Sequence, residues 1–256
     1  MHHSFLQLGA LHIPLFGVVA AVGLLAALGL SQRTARYAGI DGEALWDAGM
    51  TAMIAAFVIS RVLLVAFNLH SFLLYPTLLL AVPSLTSTGV LLTAAFLLVY
   101  LRRRRLPLLT VLDASAPCAA LIWGFVNLGR IVEGTKDGMP TTLPWGVGDR
   151  MLGAVHPVEV YTLLAAVGLC LALLGLLRQR GYTGETTAIG LLIAGVAVFF
   201  LDFFRLPSNL TADLHNAWLD PAQGLGLAMT AAGCALVLVA PSKVQEVDRI
   251  GAGNAI

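Results

Sequence analysis

The chain has 256 residues, of which 58% are hydrophobic and only 11% charged, and its mean hydropathy is +0.87. A water-soluble domain carries about 25% charged residues, so this composition excludes one and specifies a polytopic membrane protein. The formal net charge of +1 says little about partners, because in a membrane protein the placement of charge matters more than its sum.

A spanning helix needs about 20 mainly apolar residues. In chain order the sequence predicts spans at 11–30, 45–67, 85–101, 107–127, 156–177, 185–204 and 222–241. The opening residues, "MHHSFLQLGA", lack the basic region of a cleavable signal peptide, so the first apolar segment is expected to persist as a helix. Arg61 lies well inside the second span. A central arginine costs about 2.5–3.5 kcal/mol on insertion scales. It is therefore expected to snorkel, to pair with Asp113 or Asp202, or to meet a lipid phosphate. The stretch "FLLYPTLLLAVP" (72–83) is apolar but too short to cross, and it reads as a re-entrant or interfacial segment. Cys118, Cys170 and Cys234 fall in apolar stretches without paired spacing and read as small buried hydrophobes.

The basic residues orient the bundle. Arg33, Arg36, Arg102 to Arg105, Arg178, Arg180, Lys243 and Arg249 fall on one side, while Arg130, Lys136, Arg150 and Arg205 fall on the other. The richer side marks the cytoplasm, which places the N-terminus outside and the C-terminus inside. The "RRRR" run then serves as a headgroup anchor. No basic patch with interleaved aromatics exists in a soluble domain, so nucleic acid is not an expected partner. The longest loop, 128 to 155, leaves no room for a separate soluble domain.

Polar groups of mixed character gather at the outer ends of the spans. They are Asn127, Arg130, Glu133, Lys136, Asp137, His156, Glu159, Tyr161, Asp202 and Arg205. In "HPVEVYTLL" Pro157 suits a first helical turn, and Glu159 complements the helix dipole there. His156 and Glu159 stand three apart and can be neighbours, and Asp202 and Arg205 repeat that spacing as a local ion pair. No serine elbow, P-loop, metal-binding histidine pair or nucleotide fingerprint occurs, so no cofactor or metal is expected. The residues alone define a seven-span membrane protein with a polar outer pocket.

The order "PTTLPWGV" (140–147), "HPVEVY" (156–161) and "DFFRLP" (202–207) resembles the bacterial prolipoprotein diacylglyceryl transferases. Weaker echoes at Phe16–Gly17, Arg61, "LDASAP" and "AQGLGLAM" extend the resemblance over nearly the whole chain, as one membrane domain, 1–256. The resemblance implies an all-α fold with seven transmembrane helices in the bacterial cytoplasmic (inner) membrane. It also implies transfer of a diacylglyceryl group from phosphatidylglycerol, or another anionic phospholipid, to the lipobox cysteine of a prolipoprotein signal peptide. That reaction forms a thioether and releases glycerol phosphate. It needs cations around the phosphate and a group that takes the thiol proton. Arg61, Arg130, Arg205, Tyr161 and Asn127 are expected at the phospholipid, and His156, Glu133 and Arg130 in catalysis.

The chain departs from the family pattern at five of its functional positions. Asn127 and Arg130 exchange the family's arginine and asparagine, Thr135 holds the glutamate position, Thr88 the histidine position, and Val198 a sixth-span arginine position. Arg130 and Glu133 therefore read as the polar pair of a rebuilt signature loop. A non-catalytic relative that binds phospholipid or prolipoprotein is the alternative function, and a small transporter a third.

Overall fold

A computed structural model describes residues 5–8, 11–69, 87–149, 152–206 and 220–239. The segment expected to re-enter at 72–83 lies outside the described residues. Among the described residues seven helices carry the fold: α1 (Leu15–Ala38), α2 (Gly42–Phe67), α3 (Ser87–Arg103), α4 (Leu108–Glu133), α5 (Val158–Gln179), α6 (Glu185–Asp202) and α7 (Pro221–Val239). Two antiparallel hairpins accompany them, β1 (Phe5–Leu8) with β2 (Leu11–Pro14), and β3 (Val147–Asp149) with β4 (Gly153–Val155). Six of the helices are long and apolar enough to cross a membrane; α3, at 17 residues, is shorter than the others.

Helix ends follow local chemistry. Gly39 and Gly134 sit in the left-handed region (φ 74° and 76°), where a side chain would be strained, and each closes the preceding helix. Beyond each glycine the next amide completes the cap, Ile40 donating to Ala35 O and Thr135 to Arg130 O. The first helix continues to Ala38 rather than stopping near residue 30. Ser31, Thr34, Ala35 and Ala38 are buried along it, while Arg33 and Arg36 are exposed. That pattern keeps one small-residue face against the bundle after the apolar run ends.

The helices pack α1 on α4, α4 on α5 and α6 on α7, with α2 against α1 and α3. Between α6 and α7 the backbones meet almost directly. A Cβ on Gly195 would lie 2.5 Å from Gly226 O, and one on Gly226 would lie 2.8 Å from Gly195 O. Small residues permit such close approach in apolar surroundings, where dispersion and not water drives association.

The bundle has two distinct poles. At the arginine-rich pole the Asp113 carboxylate, fully buried, accepts four hydrogen bonds. The donors are Arg180 Nη1 (3.1 Å), Gly184 N (2.6 Å), Thr187 N (2.8 Å) and Thr187 Oγ1 (2.8 Å). Arg180 also donates to Ala38 O, which ties the end of α1 into the same knot. Asp113 is therefore not a partner for Arg61. It caps the start of α6, where the amides of a helix N-terminus lack intrahelical acceptors, and Arg180 neutralises it.

Two apolar clefts flank α4. One, of about 290 Å³, lies among α1, α2, α3 and α4; the other, of about 410 Å³, lies among α4, α5, α6 and α7. Ser115 and Ala119 line both.

Candidate active site

The other pole gathers the start of α1, the end of α4, the start of α5 and the end of α6. Close contact between Gly129 and Phe16 brings the first two together. The loop after α4 then folds into a small β-like cap. Met139 N donates to Phe204 O (2.8 Å), Leu206 N to Asp137 O (2.8 Å), His156 N to Met139 O (2.9 Å) and Thr141 N to Ala154 O (2.8 Å). Bridges Gly138–Arg205 and Pro140–Val155 complete it. Stretches far apart in sequence, 137–141, 153–156 and 204–206, are thereby held side by side.

That cap positions an aromatic cluster. The His156 ring lies 5.1 Å from Phe204 and 6.2 Å from Tyr161. Tyr161 Oη accepts a hydrogen bond from Trp145 Nε1 (2.8 Å) and lies 3.5 Å from His156 Nδ1. Helix α5 begins only at Val158, so His156 precedes it and is placed by the cap, while Tyr161 projects from the first turns. Trp145 and Phe204 were absent from the expected site. Their signals, "LPWG" and "DFFRLP", were visible, but only the folded structure shows that Phe204 meets the Tyr161 ring and Trp145 the Tyr161 hydroxyl.

The expected cations divide into two kinds. Arg61 Nε and Nη1 are buried without a hydrogen-bond partner, and its guanidinium carbon lies 5.4 Å from the Phe57 ring centre, a cation–π contact. Position along α2 places Arg61 about 28 Å from Gly42, toward the pole of the cap. Arg205 Nε is likewise buried and unpartnered, and Arg205 lines a small polar recess with Asp202, Asp220 and Gln223. Arg130 is half-buried on the last turn of α4.

Several expected pairs are not formed. Arg180 pairs with Asp113, but neither Arg130 with Glu133 nor Asp202 with Arg205 is bridged. After Asp202 the chain leaves the helix, and Arg205 enters its bridge with Gly138, so the three-residue spacing is no longer helical. Asn127 is buried, 3% exposed, and spends an amide hydrogen on Trp123 O (2.8 Å) of its own helix. Glu159 is also 3% exposed, and its Oε1 has no donor. Four of the family departures fall in unlike places. Val198 lines the larger apolar cleft, Thr88 is exposed on α3, Thr135 lies just past α4, and Asn127 is inside the bundle.

A bundle of apolar helices, with unpartnered arginine atoms toward the pole where the cap, His156 and Tyr161 gather, defines a polytopic membrane protein. The family description "Prolipoprotein diacylglyceryl transferase" matches residues 3–239, and the chain belongs to that family. It is 31% identical over 189 residues to the phosphatidylglycerol–prolipoprotein diacylglyceryl transferase of Synechococcus elongatus, covering 69% of this chain and 65% of that one. The correspondingly named Thermosynechococcus vestitus protein is 27% identical over 229 residues, covering 83% and 84%. A Wolbachia relative of the same name is 34% identical over 147 residues, covering 53% and 52%. The matched stretch thus spans about two thirds of the first of these relatives and about half of the Wolbachia one.

Proposed function

We propose that this protein transfers a diacylglyceryl group from phosphatidylglycerol to the lipobox cysteine of prolipoproteins. The site faces the outer side of the bacterial cytoplasmic membrane, with seven spans, the N-terminus outside and the C-terminus inside. One observation carries the reading: unpartnered buried guanidinium atoms of Arg61 and Arg205 stand in a family whose reaction expels a phosphate. Buried donors without acceptors are costly, and an anionic headgroup removes that cost.

In this reading Arg61, Arg130 and Arg205 hold the phosphate, with Tyr161 and Asn127 at its edge. The departing group is glycerol phosphate, and fixed cations stabilise the charge that builds on it. His156, oriented by Tyr161 and packed on Phe204, moves a proton, and Glu133 at the end of α4 is the other acid–base group of the loop. The apolar clefts on either side of α4 suit acyl chains.

One departure favours the binding-only reading. Val198 stands in an apolar cleft where the family places an arginine, and valine makes no contact with phosphate. Rescue of a transferase-depleted bacterial strain separates the two. Rescue by the wild-type chain supports transfer. No rescue, with the protein present in the membrane and phospholipid co-purifying, supports a binding protein.

A further inference from the structure

We propose that Glu159 is a proton acceptor in this site and takes the thiol proton of the incoming lipobox cysteine; the inference rests on the transferase reading above. Glu159 is 3% exposed, and its Oε1 is buried without any donor. An ionised carboxylate only accepts hydrogen bonds, and leaving a buried acceptor empty costs about 1–3 kcal/mol, more for a charged group. The resting protein offers that oxygen no N–H or O–H. An arriving S–H supplies one.

Its position is in the reactive layer. A Cβ on Gly124 of α4 would lie 3.6 Å from both Ala166 Cβ and Leu163 Cδ1 of α5, which sets the antiparallel register of the two helices. From that level Arg130 is about 9 Å along α4, and Glu159 about 10 Å along α5 in the same direction. They stand at nearly one height, yet no ion pair within 4.0 Å joins them. At this end of the bundle the charged and titratable groups of the packed elements are Arg130 and Glu133 on α4, Asp202 and then Arg205 at the end of α6, and His156 and Tyr161 on the segment of Glu159 itself. The adjoining half of α1 carries no charge.

Two titratable groups of the resembled pattern are missing from this chain. Thr88 and Thr135 occupy the positions where the resembled pattern has a histidine and a glutamate, and a threonine hydroxyl takes no proton near neutral pH. A buried carboxyl group, Glu159, stands at the start of α5.

The step balances. The thiol proton passes to the Glu159 carboxylate, and sulfur bonds to the terminal glycerol carbon of the lipid. That carbon's bond to the phosphate oxygen breaks, and the electron pair leaves on glycerol phosphate. The proton then passes from Glu159 to that phosphate as the products depart, which restores the carboxylate.

The test uses the full-length protein in nanodiscs with phosphatidylglycerol and a synthetic lipobox peptide. Glu159→Gln, nearly isosteric, is expected to lower kcat by about 100-fold or more, to leave KM for the lipid unchanged, and to remove the acid limb of the pH–rate profile. Glu159→Asp should keep that limb at a reduced rate. Wild-type kcat and an unaltered profile in folded Glu159→Gln overturn the proposal. If that variant does not fold, a wild-type single-turnover rate in folded Glu159→Asp overturns it instead. Failure of the wild type to transfer at all overturns the transferase reading and this inference together, whereas wild-type transfer with an intact Glu159→Gln overturns only the inference.

Discussion

Arg130 and Asn127 show how one helical turn changes what a side chain can do. Both lie on α4, but Asn127 is buried and bonded to its own helix, whereas Arg130 is half-buried at the pole of the cap. Arg130→Ala is expected nearly to abolish transfer, since losing a preorganised donor raises a barrier by about 2.7–4 kcal/mol. Asn127→Ala should cost far less activity, because its amide is already committed; initial rates with a lipobox peptide compare the two. Gly138 is a separate case. A Cβ there would lie 1.9 Å from His156 O, so Gly138→Ala should break the cap. Faster proteolysis of the 134–157 loop and altered Trp145 fluorescence would report that, and an unchanged digest would refute it. The closeness of Tyr161 and His156 was legible because one short motif contains both. The Trp145–Tyr161 bond was not, since periodicity says nothing about how a loop folds back over a helix start.

Helix positions were legible at the level of elements because runs of apolar residues bounded by charge or glycine leave little choice. Contacts between elements were less so. Arg180 read as one of a collar of cytoplasmic arginines, yet it completes the knot on Asp113 that joins α1, α4, α5 and α6. The partners lie 67 residues apart, and hydropathy carries no signal of their meeting. For Arg61, pairing with that aspartate was one of the readings left open, and it is not formed, because the two stand at opposite poles. Asp113→Ala should destabilise the folded bundle by about 3–5 kcal/mol, the cost typical of stranding one member of a buried pair. The low end is expected, since the Arg180 side chain is 20% exposed. Thermal melting in detergent measures this, and an unchanged midpoint would count against the knot. At the α6–α7 contact, Gly226→Leu should force the helices apart and lower the melting temperature, whereas Gly224→Leu, whose Cβ would meet nothing, should not.

At the scale of the whole molecule, composition already excluded a soluble protein, and the order of weak motifs pointed to the family that the matching region then showed. The bundle separates an arginine-rich pole, tied by the Asp113 knot although Thr186 Oγ1 there lacks a partner, from a pole where buried Arg61, Arg205 and Glu159 atoms lack partners. That asymmetry suits a protein that is rigid on one side and receives ligands on the other. It also predicts sidedness. A cysteine introduced as Thr141→Cys should react with an impermeant thiol reagent from outside intact cells, and Arg104→Cys should not; the reverse pattern would place the cap in the cytoplasm. The measurement closest to the central claim is mass spectrometry of a lipobox peptide incubated with the purified protein and phosphatidylglycerol. The account predicts a peptide heavier by one diacylglyceryl group on its cysteine, with glycerol phosphate released in equal amount. An unmodified peptide from folded, lipid-bearing protein would contradict it.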